Sequence, residues 1–435
     1  MSGAPDAPSS RSGPQGSATH AEAHPTPAGD EHAVELVSHL QYYRHAAEIF
    51  AEVGWLRRYL TMPFRTRPLR GASWPAVGRA VRHVNETRVF PDLSGVPTAT
   101  LWAGQLADRV VRGAEDGRTS IALPLRSLAW DLDAAWRVGE AVRDPGTKPD
   151  VLHVSSGIAL HTARRARRAG VRIVVDVRTP HHLGRLADVA PAVARHGYEY
   201  RLPNESNLRR LEAEYALADL IVCNSDYSRD SFLAAGFEPG RVVALPLGCA
   251  TELFQPAVRR PERFTALFVG RNRYEKGLLD VLEAARGLQP GSRLFLSGSP
   301  DAISLAHVAG LDAEVEFLGP ITMQRMPDVY RQASVFVFPS LSDGFGLVVP
   351  EAMASGLPVV VSDHTGAADL VTDGVDGFVV PAGDADAIAD RLRLLEQDPD
   401  LVARMGSRAR VTAVANGWTR YQQRLLDLYD AHVWA

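Results

Sequence analysis

The sequence predicts an α/β protein of two domains, each an open parallel sheet flanked by helices, with the two sheets facing across a cleft. From about Ala33, short apolar runs alternate with helix-length amphipathic segments, the pattern of parallel strands joined by crossover helices. The 435 residues, 46% hydrophobic and 23% charged, suffice for two cores of ordinary size. A polar stretch flanked by Pro256 and Pro261, LFQPAVRRPERFT, reads as the linker between them. Ligands of such sheets bind beyond the carboxyl ends of the strands, so the cleft is the expected site.

Residues 1–30 are Pro, Ser, Ala, Gly and His with hardly a large apolar side chain, too little to offset the entropy of ordering, and a disordered tail is expected there. The first domain is placed at 31–255. It opens with strand AVELVSHL, a helix around Tyr42 to Gly54 and strand LRRYLT, then continues past a Pro-rich loop to strands at 151–154, 171–177, 219–223 and 241–245. The second domain, 256–415, takes strands at 264–269, 293–297, 314–318, 334–338 and 358–361 and helices at 385–396 and 401–413. A last helix over 418–432 lies in a terminal segment, 416–435, that can pack back on the first domain. No repeat of fixed period is present.

Composition excludes several classes. No window approaches the roughly 18–20 uninterrupted apolar residues of a membrane span, and the N-terminus lacks the apolar core of a secretory signal, so a cytoplasmic protein is expected. Residues 1–255 carry 30 basic and 28 acidic side chains and 256–435 carry 17 and 23, a balance that implies no polyanion-binding tail and no nucleic-acid partner. Arg164, Arg165, Arg167 and Arg168 form a local cluster that fits a solvated helix face or a peripheral contact with the inner membrane face. Cys223 and Cys249, each in an apolar stretch, are too few for a disulfide framework or a cysteine-rich zinc site and are expected as buried free thiols.

Two strings carry chemistry. GRNRYEKG, Gly270 to Gly277, follows the first strand of the second domain and leads into a helix. A glycine at the strand end lets backbone approach a ligand, and Arg271 and Lys276 set two cations beside a helix N-terminus, the outline of a diphosphate site. The string is neither a Walker loop nor the three-glycine dinucleotide fingerprint, and a plain turn with solvated basic residues also explains it. The second string, SDGFGLVVPEAMASGLPVV from Ser342 to Val360, places a tight DGFG turn before a helix with Pro350 in its first turn. Amides of Gly344, Phe345 and Gly346 can point at an anion there. Glu351, eight residues after Asp343, is a candidate for paired sugar hydroxyls, or else a first-turn acid favoured by the helix dipole.

These residues carry a resemblance. Arg271 and Lys276 in G-R-x4-K-G, the D-G-F-G turn, the acid-x7-Glu pair at 343 and 351, and EAMASGLPVVVSD followed by TGAADLV resemble the retaining family-four glycosyltransferases, which have the GT-B fold of two Rossmann-like domains. LADLIVCNSDYSRDSFLAAG and VVALPLGCATELFQP extend the likeness over roughly 150–415, whereas 33–149 matches loosely.

The resemblance implies a donor site for a nucleoside-diphosphate sugar. Arg271 and Lys276 would neutralise the diphosphate, with Gly270 at the strand end and Gly344, Phe345, Gly346 and Leu347 lining the phosphates and sugar. Glu351 would hold the ribose hydroxyls, Asp343 the hydroxyls of the transferred sugar, and backbone from Gly319 to Ile321 would face the nucleobase. No metal and no cofactor is then required, because fixed cations and amides stabilise the charge left on the diphosphate. The acceptor would be a glycan, a lipid-linked or a small-molecule hydroxyl. Two departures stand out: Asp343 replaces the usual glutamate, one methylene shorter, and SHLQYYRHA lacks the glycine pair of many relatives, leaving His39 or Gln41 to fill that space.

On the acceptor side, DVRTPHH places Asp176, Arg178, His181 and His182 at a strand's carboxyl end, and His153 ends another strand. His181 is the candidate catalytic histidine, against an equally good structural reading; Ser155 stands where other relatives carry a histidine, and Glu214 reads as a helix-surface or packing residue. Two other functions remain open at this stage: a nucleotide-sugar 2-epimerase, which shares the architecture, and a non-catalytic sugar-nucleotide or glycan-binding relative.

Overall fold

The computed structural model describes residues 32–38, 41–61, 96–101, 122–202, 204–259, 261–270, 274–300 and 302–435. The expected N-terminal tail, Arg271 and His39 lie outside the described residues, as does the side chain of Gln41.

Among the described residues the strands form two sheets, each of parallel strands. The first, in the order β3-β2-β1-β4-β5-β6-β7, comprises β1 (Val34–Val37), β2 (Leu56–Thr61), β3 (Thr98–Thr100), β4 (Val151–Ser155), β5 (Arg172–Val177), β6 (Leu220–Cys223) and β7 (Val242–Ala244). The second, in the order β10-β9-β8-β11-β12-β13, comprises β8 (Thr265–Phe268), β9 (Arg293–Leu296), β10 (Glu314–Phe317), β11 (Val335–Phe338), β12 (Val359–Ser362) and β13 (Gly377–Val380). Both are doubly wound α/β sheets, as the alternation of elements predicts.

Sequence explains which strands are central. VFVF of β11 and VVVS of β12 are buried at every position, as strands covered by helices on both faces must be. EVEF of β10 alternates exposed Glu314 and Glu316 with half-buried Val315 and Phe317, and two carboxylates guard this edge against further pairing. β3 and β13 were not expected from sequence. GFVV of β13 is four residues beginning at a glycine, too short for a periodicity signal, and it is held by its pairing with β12.

Among the described residues the chain crosses between the halves twice. After the linker near Pro256 and the helix Pro399–Ala415, helix Trp418–His432 returns to the first half, where Gln422 Nε2 donates to His45 O at 3.1 Å and the Tyr429 hydroxyl lies 2.9 Å from His153 Nδ1. The two crossings are adjacent: a Cβ on Gly248 would lie 2.6 Å from Trp418 Cα, and Arg410 Nη1 donates to the carbonyls of Thr251 (3.0 Å) and Phe254 (2.6 Å).

No helix among the described residues is long and apolar enough to cross a membrane. Arg164, Arg165, Arg167 and Arg168 all face outward on helix Leu160–Arg168, whose buried face is Leu160, Thr162, Ala163 and Ala166; Arg167 pairs with Asp219 at 2.9 Å. Cys223 and Cys249 are buried and unbridged, and burial pushes both thiols up, away from reactivity.

Candidate active site

In each sheet the winding reverses once, between β1 and β4 and between β8 and β11, and a cleft of about 400 Å3 opens where these two places face each other. Gly270 and Lys276 follow β8; Asp343, Phe345, Gly346 and Leu347 follow β11; Tyr42, Arg178 and Asn224, after β1, β5 and β6, form the opposite wall. A larger cavity of about 520 Å3, bordered by Pro256, Phe264, Tyr330 and Arg410, contains, among the described residues of the two sequence strings that carry chemistry, Ser355, Gly356 and Leu357 alone.

Lys276 is the centre of the cleft's charge. Its Nζ lies 2.8 Å from Asp343 Oδ2 and donates to Ser342 O at 3.2 Å. The turn that aims it requires glycine at 277: φ is +78°, and a Cβ there would stand 2.1 Å from Pro339 O, so the turn could not close against the end of β11. Asp343 is itself fixed, its Oδ1 accepting from Phe345 N at 3.1 Å. That bond already engages the Phe345 amide, expected to face an anion, and leaves Gly346, at φ +84°, as the turn residue bordering the cleft between Phe345 and Leu347.

Gly344 touches the other half of the molecule instead of lining the cleft. A Cβ there would lie 2.0 Å from Arg178 O, and Ser225 Oγ donates to Gly344 O at 2.7 Å. Close by, Tyr227 OH donates to Asp188 Oδ2 at 2.6 Å and lies 2.9 Å from Ser342 Oγ. The halves therefore meet at the DGFG turn.

Glu351 sits on helix Val348–Ala354 behind the cleft, 9% exposed, with Oε2 accepting from Tyr330 OH at 3.0 Å. Burial, only partly offset by that bond, pushes its carboxyl up to about 7. Gly319 and Ile321 follow β10, the edge strand two places from β8, and do not border the 400 Å3 cleft. Two strand spacings amount to about 10 Å, a distance that a nucleoside lying along the strand ends spans.

The structure does not bring His181 to the cleft. It is the N-cap of helix His182–Ala194, 2% exposed, packed edge-on against Phe232 at 5.1 Å. Its Nδ1 accepts from Leu183 N at 3.4 Å, which leaves the ring proton on Nε2, 2.9 Å from Glu212 Oε1. Desolvation lowers its basicity, partly countered by Glu212. His182 Nδ1 also lies 3.4 Å from Glu212 Oε1, so His181, His182 and Glu212 could surround a metal ion, but a ligand at His181 Nε2 would move the proton to Nδ1, against the Leu183 N–H. His153 is fully buried between Tyr429 and Asp176. Of the two readings of Glu214, helix surface or packing, the structure takes the second: it is 0% exposed and accepts from Gly157 N (2.6 Å) and Ala159 N (3.0 Å), ordering the turn after β4.

Sequence reasoning did not select Tyr42 or Asn224, and it noted Arg178 only as part of DVRTPHH. The signal was available: each follows a strand on the side where the winding reverses. Arg178 is exposed and, among the described residues, forms no ion pair.

Two family models match the chain: "Glycosyltransferase Family 4" over residues 95–253 and "Glycosyl transferases group 1" over 250–412. A D-inositol 3-phosphate glycosyltransferase of Kribbella flavida is 30% identical over 86% of this chain and 95% of its own length. One from Nocardia farcinica is 34% identical over 50% of this chain, a match that spans about half (54%) of that relative. Among solved structures, sucrose-phosphate synthase from Thermosynechococcus elongatus superposes with a TM-score of 0.63 at 20% identity, over 92% of this chain and 99% of the other. Anabaena HepE in complex with UDP-glucose does so with a TM-score of 0.57 at 17% identity, over 92% and 99%.

Proposed function

The chain belongs to the retaining glycosyltransferases of family 4, which transfer a sugar from a nucleotide-sugar donor, and from this membership we propose the residues that act and the acceptor they serve. Lys276 receives the donor diphosphate together with Arg271 and backbone of the turn at Gly346 and Leu347. As the anomeric C–O bond breaks, negative charge collects on the departing diphosphate, and a cation already fixed in a low-dielectric cleft stabilises it without reorganisation. On donor binding Lys276 exchanges Asp343 for the diphosphate, and Asp343 turns to the hydroxyls of the transferred sugar. Glu351 accepts from the ribose hydroxyls, and the Gly319–Ile321 backbone meets the base.

The acceptor is a phosphorylated cyclitol of the kind named for the relatives above, with Arg178 on the opposite wall meeting its phosphate. A guanidinium suits that task because its fork pairs two N–H groups with two phosphate oxygens. The observation that carries this reading is the pairing of walls: Lys276 on one side of a 400 Å3 cleft and Arg178, without a carboxylate partner among the described residues, on the other.

A screen of UDP-, GDP- and ADP-sugars with D-inositol 3-phosphate or unphosphorylated inositol tests it. The expected result is nucleoside diphosphate and a new glycoside, formed with the phosphorylated acceptor and not with the other. Equal use of both acceptors would remove Arg178 from its role. An epimerised donor, or binding without turnover, would overturn the assignment of transfer roles to these residues.

A further inference from the structure

The turn that carries Lys276 is held from the other half of the molecule. Arg185, on helix His182–Ala194, places Nη2 2.6 Å from Glu275 Oε1. Their side chains are 20% and 14% exposed, so the pair is no rim contact of negligible strength. One residue earlier, Tyr274 stacks on Tyr198 with ring centroids 5.3 Å apart and planes within 7°. The Glu275 carbonyl accepts from Leu341 N at 2.9 Å and from Ser340 Oγ at 3.3 Å, which ties the same residue to the segment leading into the DGFG turn. Three successive residues thus have three anchors: Tyr274 on an aromatic ring and Glu275 on a cation of the first half, Lys276 on Asp343 of its own.

Resting on the assignment of Lys276 to the donor diphosphate, we infer that Arg185 is a positioning residue for transfer, acting through Glu275 to fix Lys276 in the cleft. Arg185 does not border the cleft and touches no proposed substrate position. Its effect follows from geometry. Lysine carries a compact charge on a flexible four-carbon stem, so its contribution to a developing charge depends on how well its backbone is held, and a displacement of about 1 Å at a reacting centre can cost up to about a hundredfold in rate. Arg185 arrives with the first half of the molecule. When the halves part, the donor turn loses its ion pair and its stacked ring together, and the diphosphate can enter or leave a looser site. When they meet, the lysine is set at the moment the acceptor wall is in place. Arg185 thereby makes the strength of the donor site depend on the presence of the acceptor half.

The test is steady-state kinetics with the donor that the screen identifies, on Arg185→Ala, Glu275→Gln, the swap Arg185→Glu with Glu275→Arg, and Arg185→Ala in a Lys276→Ala background. Each single variant is expected to lower kcat/KM for the donor about tenfold while the acceptor KM holds, and the swap to recover most of the loss. In the Lys276→Ala background, Arg185→Ala should add less than about twofold, because its effect runs through the lysine. Should the swap not fold, Arg185→Lys, which keeps the charge, is expected to fall between Arg185→Ala and the native protein. Native donor kinetics in Arg185→Ala would overturn the inference, and so would a full, additive loss on top of Lys276→Ala, the mark of a general role in docking the halves. Native kinetics in Lys276→Ala alone would instead strike the donor-site reading itself, so the two failures are distinguishable.

Discussion

Lys276 Nζ and Asp343 Oδ2 stand 2.8 Å apart in the cleft, so the lysine proposed to receive the leaving group is paired with a carboxylate before any donor arrives. Removing the lysine does two things at once: it deletes a charge-assisted contact and leaves an unpaired carboxylate facing an incoming diphosphate. Lys276→Ala is therefore expected to lower kcat/KM for the donor at least tenfold, roughly 1.5–3 kcal/mol of lost stabilisation. Unchanged turnover in this variant would remove the diphosphate assignment.

Gly344→Ala separates docking of the halves from folding of either. The added methyl meets Arg178 O at 2.0 Å, and that carbonyl belongs to the other half, so the clash is relieved by parting the halves and not by distorting a core. Transfer should fall by about a hundredfold or more, and nucleotide affinity should weaken as the Arg185–Glu275 pair and the Tyr198–Tyr274 stack part with the halves, while the thermal midpoint changes little. A large drop in the melting temperature would show that the turn itself, not the contact, was damaged.

Glu351 makes stability and nucleotide affinity depend on pH in opposite senses. Its carboxyl is raised from 4.5 to about 7 by burial, so the folded state holds a proton that the unfolded state has released between those values. Stability from this group is complete below pH 4.5 and declines as pH rises toward about 7, by on the order of 3 kcal/mol. Ribose hydroxyls donating to the carboxylate favour the ionised form, so nucleotide affinity should rise across the same range. Thermal melts and calorimetric titrations with UDP at pH 5, 6, 7 and 8, on the native protein and on Glu351→Gln, check both slopes; the variant should flatten them. Parallel slopes in the two proteins would assign the effect to other groups.

His181→Ala should damage the fold and spare the chemistry. The ring is buried, caps a helix and donates to Glu212, so its loss is expected to cost about 1–3 kcal/mol and lower the melting temperature by several degrees. At a temperature where the variant is folded, kcat/KM should stay within about threefold of native. A loss of kcat at unchanged stability would restore the histidine to the reaction.

The central strands were legible because a parallel strand covered on both faces must be a continuous apolar run, as VFVF and VVVS are, and the positions of Lys276 and Asp343 were legible because each lies in the loop that follows a buried strand, β8 or β11. What could not be read are contacts between segments far apart in the chain. The partner of Glu275 is 90 positions away, and nothing local to either residue announces the pair. Glu214 stayed undecided between surface and packing for a related reason: the amides of Gly157 and Ala159 that it accepts from come from the turn after β4, 57 and 55 positions upstream. His181 was misplaced by about one side chain's orientation. It does follow β5 as expected, yet it caps the next helix, and Arg178, three residues earlier, is the one that reaches the cleft.

The adjacency of the two crossings, with residue 248 against residue 418, sets how the molecule can move. Two bodies on one tether can swivel and twist in any sense. Two strands fastened side by side act like the pins of a door, suppressing torsion and leaving one swing. Whatever opens the gap must then carry every residue of one leaf along a common arc, and those farthest from the pins travel farthest. Cutting the chain after residue 416 would remove one pin, and the remaining leaf would no longer return to the same frame.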